Sequence, residues 1–332
     1  MDNDNARARL EVPIFGPDDG PLAVSLGASR LELNRAGSYA QGGTTPTVGE
    51  LSALLASLAS GRRGRRRPAI RIMIRPRGPP EPEPEPEPAQ QRDPDRDLQE
   101  ADVDFVYTAA EQAAMAASVR AFAGSGLLSP RHGDGFVFGA LRLRAGGGGD
   151  GRRRPELDVQ CNGDLVRLVK GIEIQGEDGG ERDGGGGGRL ACVLHRAVDD
   201  LLSLEGQGQE DVYEDEDAVG AVMQSVRACG FDGVLTSGGK GAAPGNLEGL
   251  KKVIGSDAGA EAKGLEVIVG GGVRRGNLDA LIDGLKGGIG DEVLRERVWF
   301  HSSCLGADGR LDEQEVKGLA EKLRRSGLVL RG

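Results

Sequence analysis

The residues best suited to acid–base chemistry lie at the ends of short apolar runs. Glu32 and Asn34 end the run RLELN, and because side chains alternate along a strand they share one face. His195 lies at the end of LACVLHR, and Asp199 follows shortly after it. Carboxylates and imidazoles are the side chains that most often transfer protons in enzymes. Glu32, His195 and Asp199 are therefore our candidate catalytic residues.

A second group of residues in similar positions could bind an anion. The glycines at 270–272 would let backbone amides converge on a negative group, and Arg274 would add a charge-assisted hydrogen bond. Tight packing is the alternative explanation of these glycines. We expect a phosphate or carboxylate ligand. The full set of candidate ligand-binding residues is Arg75, Arg77, Ser237, Gly271, Gly272, Arg274, His301 and Ser302.

Structural roles compete with these functional interpretations. Glu32 and Arg75 could form a structural ion pair, and His195 could be a hydrogen-bonded core histidine. His195, Asp199 and Ser237 also match the composition of a nucleophilic triad, but no nucleophile elbow surrounds Ser237. The sequence alone leaves the ion pair and the core histidine open.

Two of the four cysteines, Cys192 and Cys304, lie on predicted strands. Cys192 and Cys304 are the candidates for a metal, although cysteines of this kind are more often small buried apolar residues. Cys192 and His195 are three residues apart and so lie on opposite faces of a strand, which prevents them from holding one ion together. The four cysteines include no CxxC pair, so we predict neither a disulfide framework nor a structural zinc site.

Eight apolar runs alternate with eight amphipathic stretches. The predicted strands are 10–15, 30–34, 69–76, 135–141, 190–196, 233–238, 265–272 and 298–304. The predicted helices are 18–26, 47–58, 108–122, 161–171, 215–229, 246–254, 275–285 and 312–325. Thr47 with Glu50, and Thr108 with Glu111, have capping-box spacing at helix starts. This alternation predicts an α/β fold, a closed parallel (β/α)8 TIM barrel whose site lies at the C-terminal ends of the strands; a doubly wound sheet is the alternative.

We expect a single barrel domain over residues 1–332, with low-complexity insertions. The insertions are 79–105, which contains a Glu-Pro alternation, and the Gly-rich segments 145–154 and 176–189. Neither composition supports a helix or a ladder of strand hydrogen bonds. We therefore predict that all three segments are solvated loops.

Composition argues against several other classes of protein. The net charge of −10 is not that of a broadly basic nucleic-acid binder. No window approaches the roughly 20 apolar residues that cross a bilayer, and the first nine residues lack the apolar core of a signal peptide. Together with the unpaired cysteines, these features predict a cytoplasmic protein whose partners include neither nucleic acid nor a membrane.

Blocks of sequence between residues 30 and 303 resemble the CutC family of copper homeostasis proteins. They are RLELN, GGTTP, IRPRG, DFVYTAAE, DGFVFGAL, HRAVD, GFDGVLTSGG, GGGVRRGNL and HSS. The resemblance implies a (β/α)8 barrel, a cytoplasmic setting and an association with copper tolerance and Cu(I) binding. One departure from the family matters most: the family usually has Glu-Leu-Cys where this chain has Glu32, Leu33 and Asn34. A lesser one is Val198, where the family has Phe. Because Cu(I) prefers sulfur ligands, we expect weak or transient copper contact.

Three functions follow as hypotheses. The first is a copper homeostasis protein. The second is an enzyme acting on a small phosphate- or carboxylate-bearing metabolite, with Glu32 or His195 as general acid or base. The third is a non-catalytic scaffold, which could be a homo-oligomer. A compact polar pocket around His195 would favour the enzyme, whereas clustered sulfur atoms would favour copper.

Overall fold

The structure is a computed structural model that describes residues 6–60, 67–80, 103–145, 153–172, 189–202, 218–256 and 264–330. Most of the predicted loops 79–105 and 176–189 lie outside these ranges. None of the helices within them combines the length and the apolarity that crossing a bilayer requires.

Eight parallel strands close into a barrel, as predicted. In chain order the ten strands of the described residues are β1 (Leu10–Phe15), β2 (Arg30–Asn34), β3 (Ala69–Met73), β4 (Gly135–Phe138), β5 (Leu141–Ala145), β6 (Arg153–Leu157), β7 (Ala191–Leu194), β8 (Gly233–Thr236), β9 (Glu266–Val269) and β10 (Val298–His301). Two of these, β5 and β6, pair with each other outside the barrel. The barrel order is β1-β10-β9-β8-β7-β4-β3-β2, so the first and last strands are neighbours. The (β/α)8 TIM barrel is confirmed, and the doubly wound alternative is wrong because the sheet has no open edge.

Helices pack around the barrel. They are α1 (Gly20–Leu26), α2 (Val48–Ser60), α3 (Ala109–Gly124), α4 (Val159–Lys170), α5 (Ala197–Leu202), α6 (Ala218–Cys229), α7 (Leu247–Gly255), α8 (Leu278–Ile289), α9 (Asp291–Arg297) and α10 (Glu313–Arg325). Both predicted capping boxes form: Thr47 Oγ1 accepts from the Glu50 amide at 3.1 Å, and Thr108 Oγ1 accepts from the Glu111 amide at 3.3 Å. Sequence reasoning missed the short α5 and α9.

Side chains alternate between the lumen of the barrel and the layer between strands and helices. An apolar layer crosses the lumen and consists of Met73, Val137, Val193, Leu235, Ile268 and Trp299. The strand neighbours of Val193, Cys192 and Leu194, belong instead to the main core against the helices. This alternation fixes which residues beyond the strand ends point into the site.

The Gly-rich segment 145–154 corrects one prediction. Its ends are not loop but strand: Ala145 completes β5 and Arg153 begins β6, and the two strands pair antiparallel with Leu141 opposite Leu157. The predicted strand 135–141 is interrupted because the Asn162 side chain takes both the amide and the carbonyl of Ala140, at 3.0 and 2.8 Å. Residues 146–152 lie outside the described ranges.

Candidate active site

A cavity of about 240 Å³ opens at the C-terminal ends of the barrel strands. It brings together most of the residues that the sequence singled out. The ones that line it are Glu32, Arg75, His195, Gly271, Gly272, Arg274, His301 and Ser302. Arg77, Asp199 and Ser237 do not line it. The structure therefore brings eight of the predicted residues together and places the other three outside this cavity.

Glu32 places a buried carboxylate in the cavity. Its side chain is on β2 and only 3% exposed. Oε1 accepts a hydrogen bond from Asn34 Nδ2 at 3.1 Å, whereas Oε2 has no partner among the described residues. Burial raises the pKa of Glu32, and the charge of Glu11 raises it further against the opposing effects of His301 and Asn34. A carboxylate with a raised pKa is a stronger base than an ordinary one, which suits it to accept and return a proton.

The amide of Asn34 needs a glycine beside it. Gly43 has a φ of +86°, and a β-carbon at this position would clash with Asn34 Oδ1. The GGTTP segment therefore supplies the space that Asn34 needs in order to hold Glu32.

A buried ionic network lies beside Glu32, at the contact of the first and last strands. The register pairs Glu11 with His301, and His301 Nδ1 lies 2.8 Å from Glu11 Oε1. Arg30 forms an ion pair with the same carboxylate, and its Nη1 donates to Glu266 at 2.6 Å. Burial opposes the charge on Glu11, but Arg30 and His301 outweigh it and lower the pKa of Glu11 to about 2. Glu11 is therefore a fixed negative charge.

His301 connects this fixed charge to Glu32. Burial alone would lower the pKa of His301, but the hydrogen bond with Glu11 and the charge of Glu32 raise it. One ligand atom from each of Glu11, Glu32 and His301 lies within 4.8 Å of the others. His301 and Glu32 are thus an acid–base pair with ligand atoms within 4.8 Å of each other, and both line the cavity. Sequence reasoning missed Glu11, although a charge between Leu10 and Val12 in an apolar strand was a signal.

His195 offers a different kind of group. The ring is 3% exposed, its Nδ1 accepts from the Ala197 amide at 3.3 Å, and its Nε2 has no partner among the described residues. Burial, aided by the charge of Arg75, lowers the pKa of His195 to about 3. The ring is therefore neutral, and because Nδ1 accepts, its proton lies on Nε2. A neutral ring with its proton on Nε2 is a hydrogen-bond donor, and the role of His195 as general acid or base stays a prediction.

Two neighbouring residues, Phe105 and Gly139, fix the position of the His195 ring. Phe105 packs on the ring with centroids 4.5 Å apart. At Gly139 a β-carbon would lie 2.6 Å from Leu194 Cδ1 and 3.0 Å from two atoms of the His195 ring, so a side chain here would crowd the imidazole. Phe105 and Asp104 belong to the segment 79–105 that was predicted as a solvated loop; that prediction is wrong at its C-terminal end because both residues contact the site.

The opposite side of the cavity is suited to an anion. Gly271 and Gly272 have φ values of +81° and +77°, which L side chains rarely adopt. Their amides donate no hydrogen bond to any atom that the structure describes. Arg274 Nη1 lies 3.3 Å from Ser302 Oγ and 3.2 Å from Ser303 Oγ, and it has no carboxylate partner within the described ranges. Free amides beside an unpaired guanidinium and two hydroxyls attract phosphate or carboxylate groups.

The two arginines after β3 mainly hold loops. Arg75 reaches the cavity, but its Nη2 pairs with Asp104 at 2.8 Å and its Nη1 donates to the carbonyl of Gln41 at 2.8 Å. The alternative of an ion pair between Arg75 and Glu32 is therefore wrong. Arg77 pairs with Glu111 at 2.8 Å at the start of α3 and does not reach the cavity.

Asp199 and Ser237 brace the wall of the barrel. Asp199 accepts from the Ser237 amide at 3.0 Å and from Ser237 Oγ at 2.7 Å, and Arg196 Nε pairs with it at 2.7 Å. His195 has no hydrogen bond with either residue in the structure. The triad interpretation therefore has no geometric support, because its histidine is not joined to the other two groups.

Neither sulfur candidate lies in the cavity. Cys192 and Cys304 are fully buried, and burial raises the pKa of each thiol to about 12. The cluster of Glu11, Glu32 and His301 has the spacing to hold a metal, but its oxygen and nitrogen donors are not the sulfur ligands that Cu(I) prefers. Glu11 is also already neutralised by Arg30. Met73 is the one sulfur-bearing residue among those that line the cavity, and a single thioether beside carboxylates and imidazoles does not make the sulfur-rich site that Cu(I) prefers.

Copper competition tests this conclusion. We expect a chelator such as bicinchoninic acid, under reducing conditions, to remove all Cu(I) from the full chain, because the thiols are protonated and buried away from the cavity. Cys192→Ser and Cys304→Ser should behave like the unmodified protein. One equivalent of retained copper that either replacement abolishes would contradict this prediction.

Comparison with known proteins identifies the architecture. No family model and no curated protein matches the chain in sequence. A protein from Streptococcus agalactiae named as the copper homeostasis protein CutC superimposes with a TM-score of 0.54 at 18% identity, covering 89% of this chain and 98% of that one. The chain is similar to it in fold. The structural neighbours also include 3-dehydroquinate dehydratase from Geobacillus kaustophilus, with a TM-score of 0.47 at 12% identity over 96% of this chain and 91% of that one.

Proposed function

We propose that the protein is an enzyme that binds a small anionic metabolite at the C-terminal end of the barrel and transfers a proton to or from it. One observation supports this most directly: Glu32 Oε2 and His195 Nε2 are buried, have no partner among the described residues, and line the same cavity. An unpartnered buried polar atom costs about 1–3 kcal/mol. Two such atoms in one cavity are suited to a ligand that satisfies both.

The residues of the cavity divide into three tasks. Glu32 takes and returns the proton at Oε2. His301, fixed by Glu11, is a positioning residue that stabilises the ionised form of Glu32. The amides of Gly271 and Gly272, with Arg274, hold the anionic group of the metabolite. A phosphate site in the loops after the seventh and eighth strands is common in this fold.

Copper is a weaker proposal for this chain. The likeness to a CutC protein is one of fold, and Asn34 stands where the resembling family has a cysteine. We propose that any Cu(I) contact is weak and that copper takes no part in the reaction in the cavity. A cytoplasmic location is likewise a proposal, supported by four free cysteines, which a reducing compartment preserves.

Phosphate binding tests the proposed function. Inorganic phosphate should raise the melting temperature of the full chain, because ligands that bind only the folded state stabilise it. Arg274→Ala should weaken phosphate binding by about 10- to 100-fold, since a hydrogen bond to a charged group contributes about 1.5–3 kcal/mol. Isothermal titration calorimetry measures the affinity.

Two further variants make this test specific. Gly271→Val should also weaken binding, because its φ is +81° and a β-carbon would lie 3.0 Å from Ser237 Cβ. Arg275→Ala is the matched control: Arg275 is the next residue, is half exposed, and does not line the cavity. Absence of phosphate protection, or equal protection of Arg274→Ala and Arg275→Ala, would contradict the proposed function.

A further inference from the structure

We infer that the anionic metabolite is a carbonyl compound, whose carbonyl oxygen accepts a hydrogen bond from His195 Nε2 while Glu32 Oε2 removes a proton from the adjacent carbon. The inference rests on the proposed function and names its class of substrate.

The tautomer of His195 determines which kind of ligand atom it can bind. The backbone amide of Ala197 donates to Nδ1, so Nδ1 cannot also carry the ring proton. Nε2 must then be an N–H donor, and it is buried in the cavity without an acceptor among the described residues. The ligand group that fits an isolated N–H donor is an oxygen with a lone pair, as in a carbonyl.

The terminal nitrogens of Arg75, the cationic neighbour of His195, are already engaged. Both terminal nitrogens of Arg75 are bound, one to Asp104 and the other to the carbonyl of Gln41. Its guanidinium lies over the Phe105 ring, 4.9 Å from the centroid. Arg75 therefore holds the loop that carries Phe105 against His195. Its Nε is buried without a partner among the described residues, so the ligand finds two donors here, the imidazole and Arg75 Nε.

The order of the barrel strands places the proton-transferring, carbonyl-binding and anion-binding residues on different sides of one small cavity. Glu32 lies on the second barrel strand, His195 follows the fifth, and the 271–274 turn follows the seventh. All three line a cavity of about 240 Å³. A single small molecule can thus place its anionic group on the turn, its carbonyl oxygen at His195 and the carbon between them at Glu32.

The chemistry balances without a co-reactant. Glu32 Oε2 takes the proton, the C–H electron pair forms a carbon–carbon double bond, and the carbonyl pair moves onto oxygen. The resulting enolate accepts the hydrogen bond from neutral His195. Return of the proton to the same carbon regenerates the substrate. Where that carbon carries a hydroxyl, transfer of the hydroxyl proton to the enolate oxygen and return of the proton from Glu32 to the former carbonyl carbon isomerise the substrate, with the carbonyl now at the carbon that lost its proton. A neutral imidazole is a recurring donor to such oxyanions.

Binding of 2-phosphoglycolate to the full chain tests the oxygen site, because its carboxylate mimics an enolate beside an anionic group. We expect 2-phosphoglycolate to bind at least about tenfold more tightly than inorganic phosphate, since it adds a hydrogen bond to a charged oxygen. His195→Leu should abolish this advantage while leaving phosphate affinity unchanged, and His195→Gln, which keeps an N–H donor, should retain part of it. His132→Gln is the control on a histidine outside the cavity.

Nuclear magnetic resonance supplies a second readout. The His195 Nε2 proton should shift downfield with 2-phosphoglycolate and much less with phosphate. In deuterium oxide, dihydroxyacetone phosphate should exchange its carbon-bound hydrogen next to the carbonyl, and Glu32→Gln should slow this exchange at least about 100-fold, as expected when a general base is lost.

The outcomes separate the two proposals. If phosphate does not bind, the proposed function is wrong. If phosphate binds but 2-phosphoglycolate is no tighter, or its advantage survives His195→Leu, only the carbonyl inference is overturned. If both ligands behave as expected but no hydrogen exchanges, the proton step is overturned.

Discussion

Replacing Glu11 by leucine is expected to lower the free energy of unfolding by about 3–5 kcal/mol, because it removes one partner of a buried ion pair. Arg30 would keep Glu266 but lose the carboxylate that it contacts inside the barrel. His301 would lose its only hydrogen-bond acceptor at Nδ1 in the structure. Urea unfolding followed by circular dichroism measures the change.

Two variants show whether the ion pair is the cause. Asp279→Asn breaks the exposed pair with Lys322 and should cost less than about 1 kcal/mol. Combining Glu11→Leu with Arg30→Met should recover much of the loss, because no buried charge then remains without its partner. A Glu11→Leu protein as stable as the unmodified chain would contradict the network described for the lumen.

Acid should weaken the same network. The pKa of Glu11 is about 2 in the folded protein, against an ordinary value of 4.5. A lowered pKa contributes stability that is complete above about pH 4.5 and is lost as the pH falls toward 2. Between these values, the unfolding free energy of the unmodified chain should fall more steeply than that of Glu11→Leu.

Asp199→Ala is the second replacement with a large expected effect, a loss of about 3 kcal/mol in the free energy of unfolding. The variant leaves the buried Ser237 amide without its acceptor and removes the partner of Arg196 Nε. Asp199→Asn retains one acceptor oxygen and should lose less. Thermal unfolding by calorimetry measures both variants.

The control for Asp199 is a carboxylate with similar partners at the surface. Asp164→Ala on α4 removes an exposed pair with Arg167 and should leave the free energy of unfolding nearly unchanged, because solvent screens exposed ion pairs. Asp199→Ala should still bind phosphate at a temperature where it is folded, since its carboxylate lies outside the cavity. A fully stable Asp199→Ala protein that no longer binds phosphate would show that the residue acts on the ligand.

The barrel could be predicted because its elements follow local rules. Apolar runs marked all eight barrel strands, and the capping boxes at Thr47 and Thr108 marked two helix starts correctly. The β5–β6 hairpin was missed because the glycines between its strands dominated the composition, which hid the alternation of Leu141 and Leu143 with arginines. The break after β4 depends on Asn162, whose contact with Ala140 joins residues 22 apart.

The site could be predicted only in part. Strand ends indicated Glu32, His195 and Arg274, because every strand of a parallel barrel delivers its C-terminal residues to one face. The partners of these residues depend on register and on loop paths that no local pattern encodes. The role of Glu11 required the pairing of β1 with β10, and the assignment of Arg75 to Asp104 required the path of the loop between β3 and α3.

The bond between Glu11 and His301 joins residues 290 positions apart in the chain. It can form only after β10 has docked beside β1, so a barrel that lacks its last strand has no assembled acid–base pair. Contacts of such long sequence separation form late and slow the folding of a domain. A ligand that needs this pair would therefore bind closed barrels in preference to open folding intermediates. By mass action, binding of the metabolite would then shift the folding equilibrium of newly synthesised chains toward the closed barrel.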